Sequence, residues 1–107
     1  MNYNYLVSKT TTEAESNALC FVKSYKENKQ GRTEKELAEL LGCLGIKDLR
    51  RKLSDAKEII KIVIRRSMVT DYEAGRTYND IAGQAGLSET LVKSYIDEYN
   101  QKKEKAV

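Results

Sequence analysis

The 107-residue sequence contains no proline and no histidine, and only two cysteines and six glycines. Each shortage excludes something. With no proline, few glycines and abundant Ala, Leu, Glu, Lys and Arg, the chain is biased toward helix, and a mainly α fold is expected. The missing histidines remove the commonest general base, and with Cys20 and Cys43 alone a zinc site would need carboxylates for most of its ligands. No Ser or Cys nucleophile has an evident partner, no glycine-rich phosphate loop follows a predicted strand, and no carboxylate pair stands apart. An enzyme is therefore not expected, nor a metal or cofactor. Two cysteines make no disulfide framework, and both are expected as small buried hydrophobes. No apolar run approaches the roughly eighteen residues of a membrane span. The N-terminal MNYNYLVSK carries no signal-peptide pattern, so the expected compartment is the cytoplasm.

What is present is a repeat. GRTEKELAELLG at 31–42 and GRTYNDIAGQAG at 75–86 are 44 residues apart and identical at five of twelve positions: Gly31/Gly75, Arg32/Arg76, Thr33/Thr77, Ala38/Ala82 and Gly42/Gly86. Each copy sets a threonine three residues before an acid, Thr33 before Glu36 and Thr77 before Asp80, the pattern of a capping box. The spacing predicts helices starting at about 34 and 78, each ending near its glycine. After the second copy, Ser88 can cap a further helix carrying Leu91, Val92, Tyr95, Ile96 and Tyr99 at helical spacing. That reads as helix, three-residue turn, helix, with Ile81, Ala82, Ala85, Leu87, Val92 and Ile96 packed at the crossing.

The first copy differs. Its turn, Cys43-Leu44-Gly45, is one residue longer, and Leu44, Leu49 and Leu53 are expected in the places of Leu87, Val92 and Ile96. A preceding helix is predicted for each copy. Thr12 with Glu15 opens one over 13–28, with Ala14, Ala18, Leu19, Val22 and Tyr25 on its apolar face; Asp55 with Glu58 opens the other, with Ala56, Ile59, Ile60, Val63, Ile64, Met68 and Tyr72. The expected architecture is two three-helix units, 1–54 and 55–107, in one compact pseudo-twofold domain. The β-branched run IIKIVI at 59–64 leaves an alternative, a small central sheet pairing with residues 3–7. Tyr25, Tyr72, Tyr78, Tyr95 and Tyr99 are read as core residues.

Residues 77–96 resemble the helix-turn-helix of bacterial DNA-binding proteins, and are similar to sigma-factor region 4 and to the recognition domains of resolvases. The first copy departs from that pattern in its longer turn and missing Ser cap. The resemblance implies that the second helix of each unit enters a major groove and reads bases with its exposed N-terminal half. Those positions are Ser88, Glu89, Thr90, Lys93 and Ser94 in the second copy, and Lys47, Arg50 and Arg51 with Lys52 at the flank in the first. Arg76 of the repeated Gly-Arg-Thr is added to the candidate DNA contacts.

Charge favours the first copy. Residues 46–66 hold eight cations against three acids, a net +5, whereas residues 67–101 hold two against six, a net −4. Arg50 and Arg51 are expected to pair with guanine, and Lys47, Lys52 and Lys57 to hold phosphates, while Glu89 could accept from cytosine. Lys102, Lys103 and Lys105 form a positive tail. The expected function is sequence-specific double-stranded DNA binding at a non-palindromic site, by a monomer acting as an internal pseudo-dimer. Its role would be that of a small transcriptional regulator or an origin-of-transfer accessory protein of a mobile element. In size and architecture the chain resembles the TraN-type accessory DNA-binding proteins of Gram-positive conjugative plasmids, a likeness that implies partners in a transcription or DNA-transfer complex. The rival expectation is an anti-sigma-like adaptor using the same fold on protein.

Overall fold

The computed structural model describes residues 2–105, with side chains to residue 102, so the side chains of Lys103 and Lys105 in the expected positive tail lie outside the described residues. Among those residues there are six helices and no strand: α1 Tyr3–Lys9, α2 Glu13–Asn28, α3 Glu34–Leu40, α4 Ile46–Glu73, α5 Tyr78–Ala85 and α6 Glu89–Lys105. None of them is long and apolar enough to cross a membrane.

Three starts follow from threonine. Helices α2, α3 and α5 each begin one residue after Thr12, Thr33 or Thr77, whose hydroxyl oxygen accepts the amide of Glu15, Glu36 or Asp80 at 3.2 Å. Each bond satisfies an amide that the first helical turn leaves without a partner. The helix stops are equally local. Gly31, Gly42, Gly75 and Gly86 adopt φ of 77, 73, 95 and 69°, a left-handed conformation that costs other residues far more than glycine. Ala38 and Ala82, the remaining small identity of the repeat, are buried. Four of the five repeated residues thus give the same instructions twice: stop a helix, cap the next, keep its inner face small, stop again.

Helix α4 departs from expectation. No break occurs at residues 54–55; one 28-residue helix runs from Ile46 to Glu73. The cause is an apolar stripe that never lapses: Leu49, Leu53, Ala56, Ile60, Val63, Ile64 and Met68 recur every three or four residues and all are buried. Asp55 and Glu58, read as a helix start, are exposed surface residues of a helix already under way. The IIKIVI segment follows the same period. Ile60, Val63 and Ile64 are buried while Ile62 is 61% exposed, so the β-branched run is helical and residues 3–7 pair with no strand.

Compact packing divides the chain into residues 10–61 and residues 1–9 with 62–107, where halves of 1–54 and 55–107 were expected. The first unit holds α2, α3 and the first part of α4, with Ala18, Leu19, Val22, Leu37, Ala38, Leu49, Leu53, Ala56 and Ile60 buried. The second holds α1, the rest of α4, α5 and α6, with α5 packed on both α6 and α1. Its core includes Leu6, Met68, Ile81, Val92 and Ile96, each no more than 1% exposed.

Helix α1 belongs to this second unit because specific bonds hold it there. The Asn2 amide donates to the Ala85 carbonyl at 2.7 Å, the Tyr5 hydroxyl donates to Asp71 Oδ2 at 2.5 Å, and Lys9 Nζ reaches Asp71 Oδ1 at 3.0 Å. Arg66 donates to the Lys9 carbonyl at 2.8 Å. Burial opposes ionisation of Asp71, yet the bonds from Tyr5 and Lys9 outweigh it and hold the carboxyl below the ordinary carboxylate range. Burial, reinforced by Asp71, pushes the Tyr5 hydroxyl upward.

Several expected core residues lie elsewhere. Cys20 is exposed and Cys43 half-buried; Cys20 stands on the outer side of α2, away from Ala18, Leu19 and Val22. Ala14 is exposed. Tyr72 and Tyr99 are 40% and 36% exposed, and Tyr25, Tyr78 and Tyr95 are half-buried. These rings cover edges: Tyr72 stacks on Tyr78 at 5.6 Å, and Arg65 lies 5.4 Å over Tyr95.

Candidate nucleic-acid interface

Each unit contains one helical corner: α3 turning into α4, and α5 turning into α6. The turns share a bond. The Cys43 amide donates to the Ala38 carbonyl at 2.7 Å, as the Leu87 amide does to Ala82 at 3.1 Å. Cys43 therefore takes the place of Leu87, and Leu44 is the additional residue. It does not join the core as expected but stands 95% exposed. The next helices restart in register. Leu49 donates to the Gly45 carbonyl at 3.0 Å and Val92 to the Ser88 carbonyl at 3.1 Å, so Gly45 and Ser88 are matching first residues.

On α4 the buried Leu49, Leu53, Ala56 and Ile60 fix which side faces out. Lys47, Arg50, Arg51, Lys57 and Lys61 are exposed outside that buried stripe, forming a basic stripe about 21 Å long at 1.5 Å per residue, in which the exposed Glu58 pairs with Lys61 at 3.5 Å. Arg50 and Arg51 keep side-chain exposures of 69% and 70%. Both are ion-paired. Arg50 reaches Glu34 Oε2 at 2.8 Å and Arg51 reaches Asp48 Oδ1 at 2.7 Å. The Arg50–Glu34 pair is exposed at both partners and of a kind worth about 0–1 kcal/mol, so a phosphate or a base edge can take that guanidinium at little cost, whereas Arg51 is held by a carboxylate only 10% exposed.

Asp48 is the organising group that sequence reasoning overlooked. Its carboxylate accepts the Leu44 amide at 2.9 Å and also meets Arg51 and Lys52, the latter at 3.2 Å. The Leu44 amide, then Lys52 and Arg51, hold its carboxyl below the ordinary range against some loss of solvation. With no side chain at Gly45 to cap α4, Asp48 in the first turn fastens the preceding turn instead. An acid three residues after a glycine, in the same place as the repeat's own capping acids, was the available signal.

The structure brings some candidates together and separates others. Lys47 and Arg51 line a depression of about 260 Å³ with Leu44 and Asp48. Lys52 instead lines a groove facing α2, beside Ala14, Ala18 and Phe21. Lys57 is exposed farther along the stripe. In the other unit, Thr90, Lys93 and Ser94 line one depression with Asp97, Glu98 and Gln101, and Glu89 is exposed in the first turn of α6. Ser88 accepts the Leu91 amide at 3.2 Å, so its oxygen caps the helix while its O–H remains a donor. Arg76 lies on a different depression, with Asn79, Asp80, Gly83 and Gln84, and its guanidinium bonds Gln84.

The charge contrast between sequence blocks does not carry over to the units. Residues 10–61 hold eleven cations and nine acids, and the other unit eight and seven, a net +2 against +1. Arg65 and Arg66 fall in the second unit, where Arg65 approaches Glu98 at 3.8 Å. What distinguishes the corners is local: the first two turns of α4 carry Lys47, Arg50, Arg51 and Lys52 against Asp48, whereas Lys93 is the one cation among the residues lining the α6 depression, beside Asp97 and Glu98. Comparison of the chain with protein-family models, curated proteins and solved structures found no match.

Proposed function

We propose that this protein binds double-stranded DNA through the α3–α4 corner, with α4 entering the major groove by its first two turns. The observation that carries the reading is the outer face of α4, where Lys47, Arg50 and Arg51 stand exposed directly after a tight corner, the arginines paired with Glu34 and Asp48. Arg50 and Arg51 suit guanine edges, and Lys47 and Lys57 suit phosphates. The α5–α6 corner is the second reading head, presenting Glu89, Thr90, Lys93 and Ser94. Its near-neutral face makes it a contributor to sequence discrimination more than to affinity. Unlike corners require a non-palindromic site. The protein acts in the cytoplasm as a small regulator of transcription or as an accessory factor of DNA transfer, without catalysis.

The test is a fluorescence-anisotropy titration of a random-sequence duplex between about 50 and 200 mM salt. Binding that weakens steeply over this range is expected. No binding at about 50 mM would favour the adaptor reading, in which the corners dock on protein.

A further inference from the structure

We infer that Leu44 reads the 5-methyl group of a thymine in the major groove, making the α3–α4 corner selective for a thymine beside its arginine-read bases; the inference rests on the DNA-binding reading above. The one-residue lengthening of this turn places a leucine, 95% exposed, where the other corner has no counterpart. Leu44 is not loose. Its amide is fastened at 2.9 Å to Asp48, the carboxylate that also meets Arg51 and Lys52. The leucine therefore sits in fixed register with the first turn of α4. It shares its depression of about 260 Å³ with Lys47, Asp48 and Arg51, so an apolar tip is flanked by two cations.

That combination matches one feature of duplex DNA. Each phosphate-lined major groove presents hydrogen-bonding edges, and thymine adds the one apolar group there, its C5-methyl. Lone exposed leucines are common and call for no explanation by themselves. Here the leucine comes with an anchored backbone and adjacent cations at the leading end of the helix proposed to enter the groove. Lys47 and Arg51 would bring the phosphates and base edges within reach, and Leu44 would close over the methyl, excluding water from both.

The test uses a duplex selected by the full-length protein from a random pool, then resynthesised with uracil in place of thymine at one position at a time. Uracil keeps every hydrogen-bonding group and lacks only the methyl. Removing the contacted methyl is expected to weaken wild-type binding about four-fold, the worth of one buried carbon. Leu44→Ala should bind the thymine duplex several-fold more weakly and be indifferent to uracil, and Leu44→Met should restore the sensitivity. Because the side chain is exposed, all three proteins should give the same circular dichroism. Equal affinity of the wild type for thymine and uracil duplexes, or undiminished sensitivity in Leu44→Ala, would overturn the inference while leaving DNA binding intact. Failure to bind any duplex would remove the reading beneath it as well.

Discussion

The two corners use the same stop, cap and small inner residue, yet present different outer faces. In the α5–α6 corner, Ser88 caps the second helix with its own hydroxyl and Leu87 is half-buried. In the α3–α4 corner, Gly45 offers no cap, Asp48 ties back to the turn, and the additional Leu44 is pushed outward. One inserted residue thus separates a self-contained turn from one that displays an apolar tip beside a basic stripe. Shared residues set the backbone, and unshared residues set the surface.

The comparison breaks most visibly in the cores. Leu49→Ala, 1% exposed in the wild type, and Ile96→Ala, fully buried, should each cost about 2–5 kcal/mol in chemical denaturation. A cost below about 1 kcal/mol at either site would mean that its corner packs otherwise than described.

The next effect belongs to the second unit. Removing Asp71, which Tyr5 and Lys9 hold at 2.5 and 3.0 Å, by Asp71→Ala should cost about 1–3 kcal/mol and release α1. The same carboxyl gives a pH signature. Its folded value lies below its unfolded one, so its contribution is complete above the ordinary carboxylate range and is lost as pH falls through the depressed folded value. Stability measured across that acid range should fall less steeply in Asp71→Asn than in the wild type. Identical slopes would deny Asp71 this role.

Smaller changes sharpen the contrast of the turns. Thr33→Ala and Thr77→Ala should each cost about 1 kcal/mol, Thr33→Ala slightly the more because its hydroxyl also donates to Glu36 Oε1 at 3.2 Å. Gly45→Ser should raise stability by a few tenths of a kcal/mol, since a side chain there meets nothing within 4 Å and can cap α4 as Ser88 caps α6. Destabilisation by that substitution would mean that the glycine is required for the turn itself.

Much of this was legible because it is local. The Thr caps and the left-handed glycines act within a few residues, and they mark the starts of α2, α3 and α5 and the limits of the repeat. The inner faces of α5 and α6 were equally readable, as Ile81, Ala82, Ala85, Val92 and Ile96 are all buried. The continuous α4 was misread because Asp55 and Glu58 imitate a helix start, although a capping pattern has no effect where the preceding residues already supply helical carbonyls. Only the unbroken stripe from Leu49 to Met68 could have overruled it. Helix α1 was hidden for a different reason: seven residues are marginal alone even with Asn2 Oδ1 accepting the Asn4 amide at 3.1 Å, and bonds to Asp71 and Ala85, far away in sequence, hold them. Asp71 itself gave a signal, an acid on the apolar stripe of Ile64 and Met68 that had to find partners. Of the candidate contacts, the exposed Arg50 and Arg51 were legible from helical spacing, whereas the roles of Asp48 and Leu44 depend on where one inserted residue is accommodated.

The claim that the α4 face holds duplex DNA is tested most directly by titrating wild type and Arg50→Ala/Arg51→Ala against one duplex across about 50–200 mM salt. The account predicts that the double variant binds markedly more weakly, while the slope of log affinity against log salt stays close to the wild-type one because the phosphate contacts of Lys47 and Lys57 remain. A double variant with wild-type affinity would contradict it.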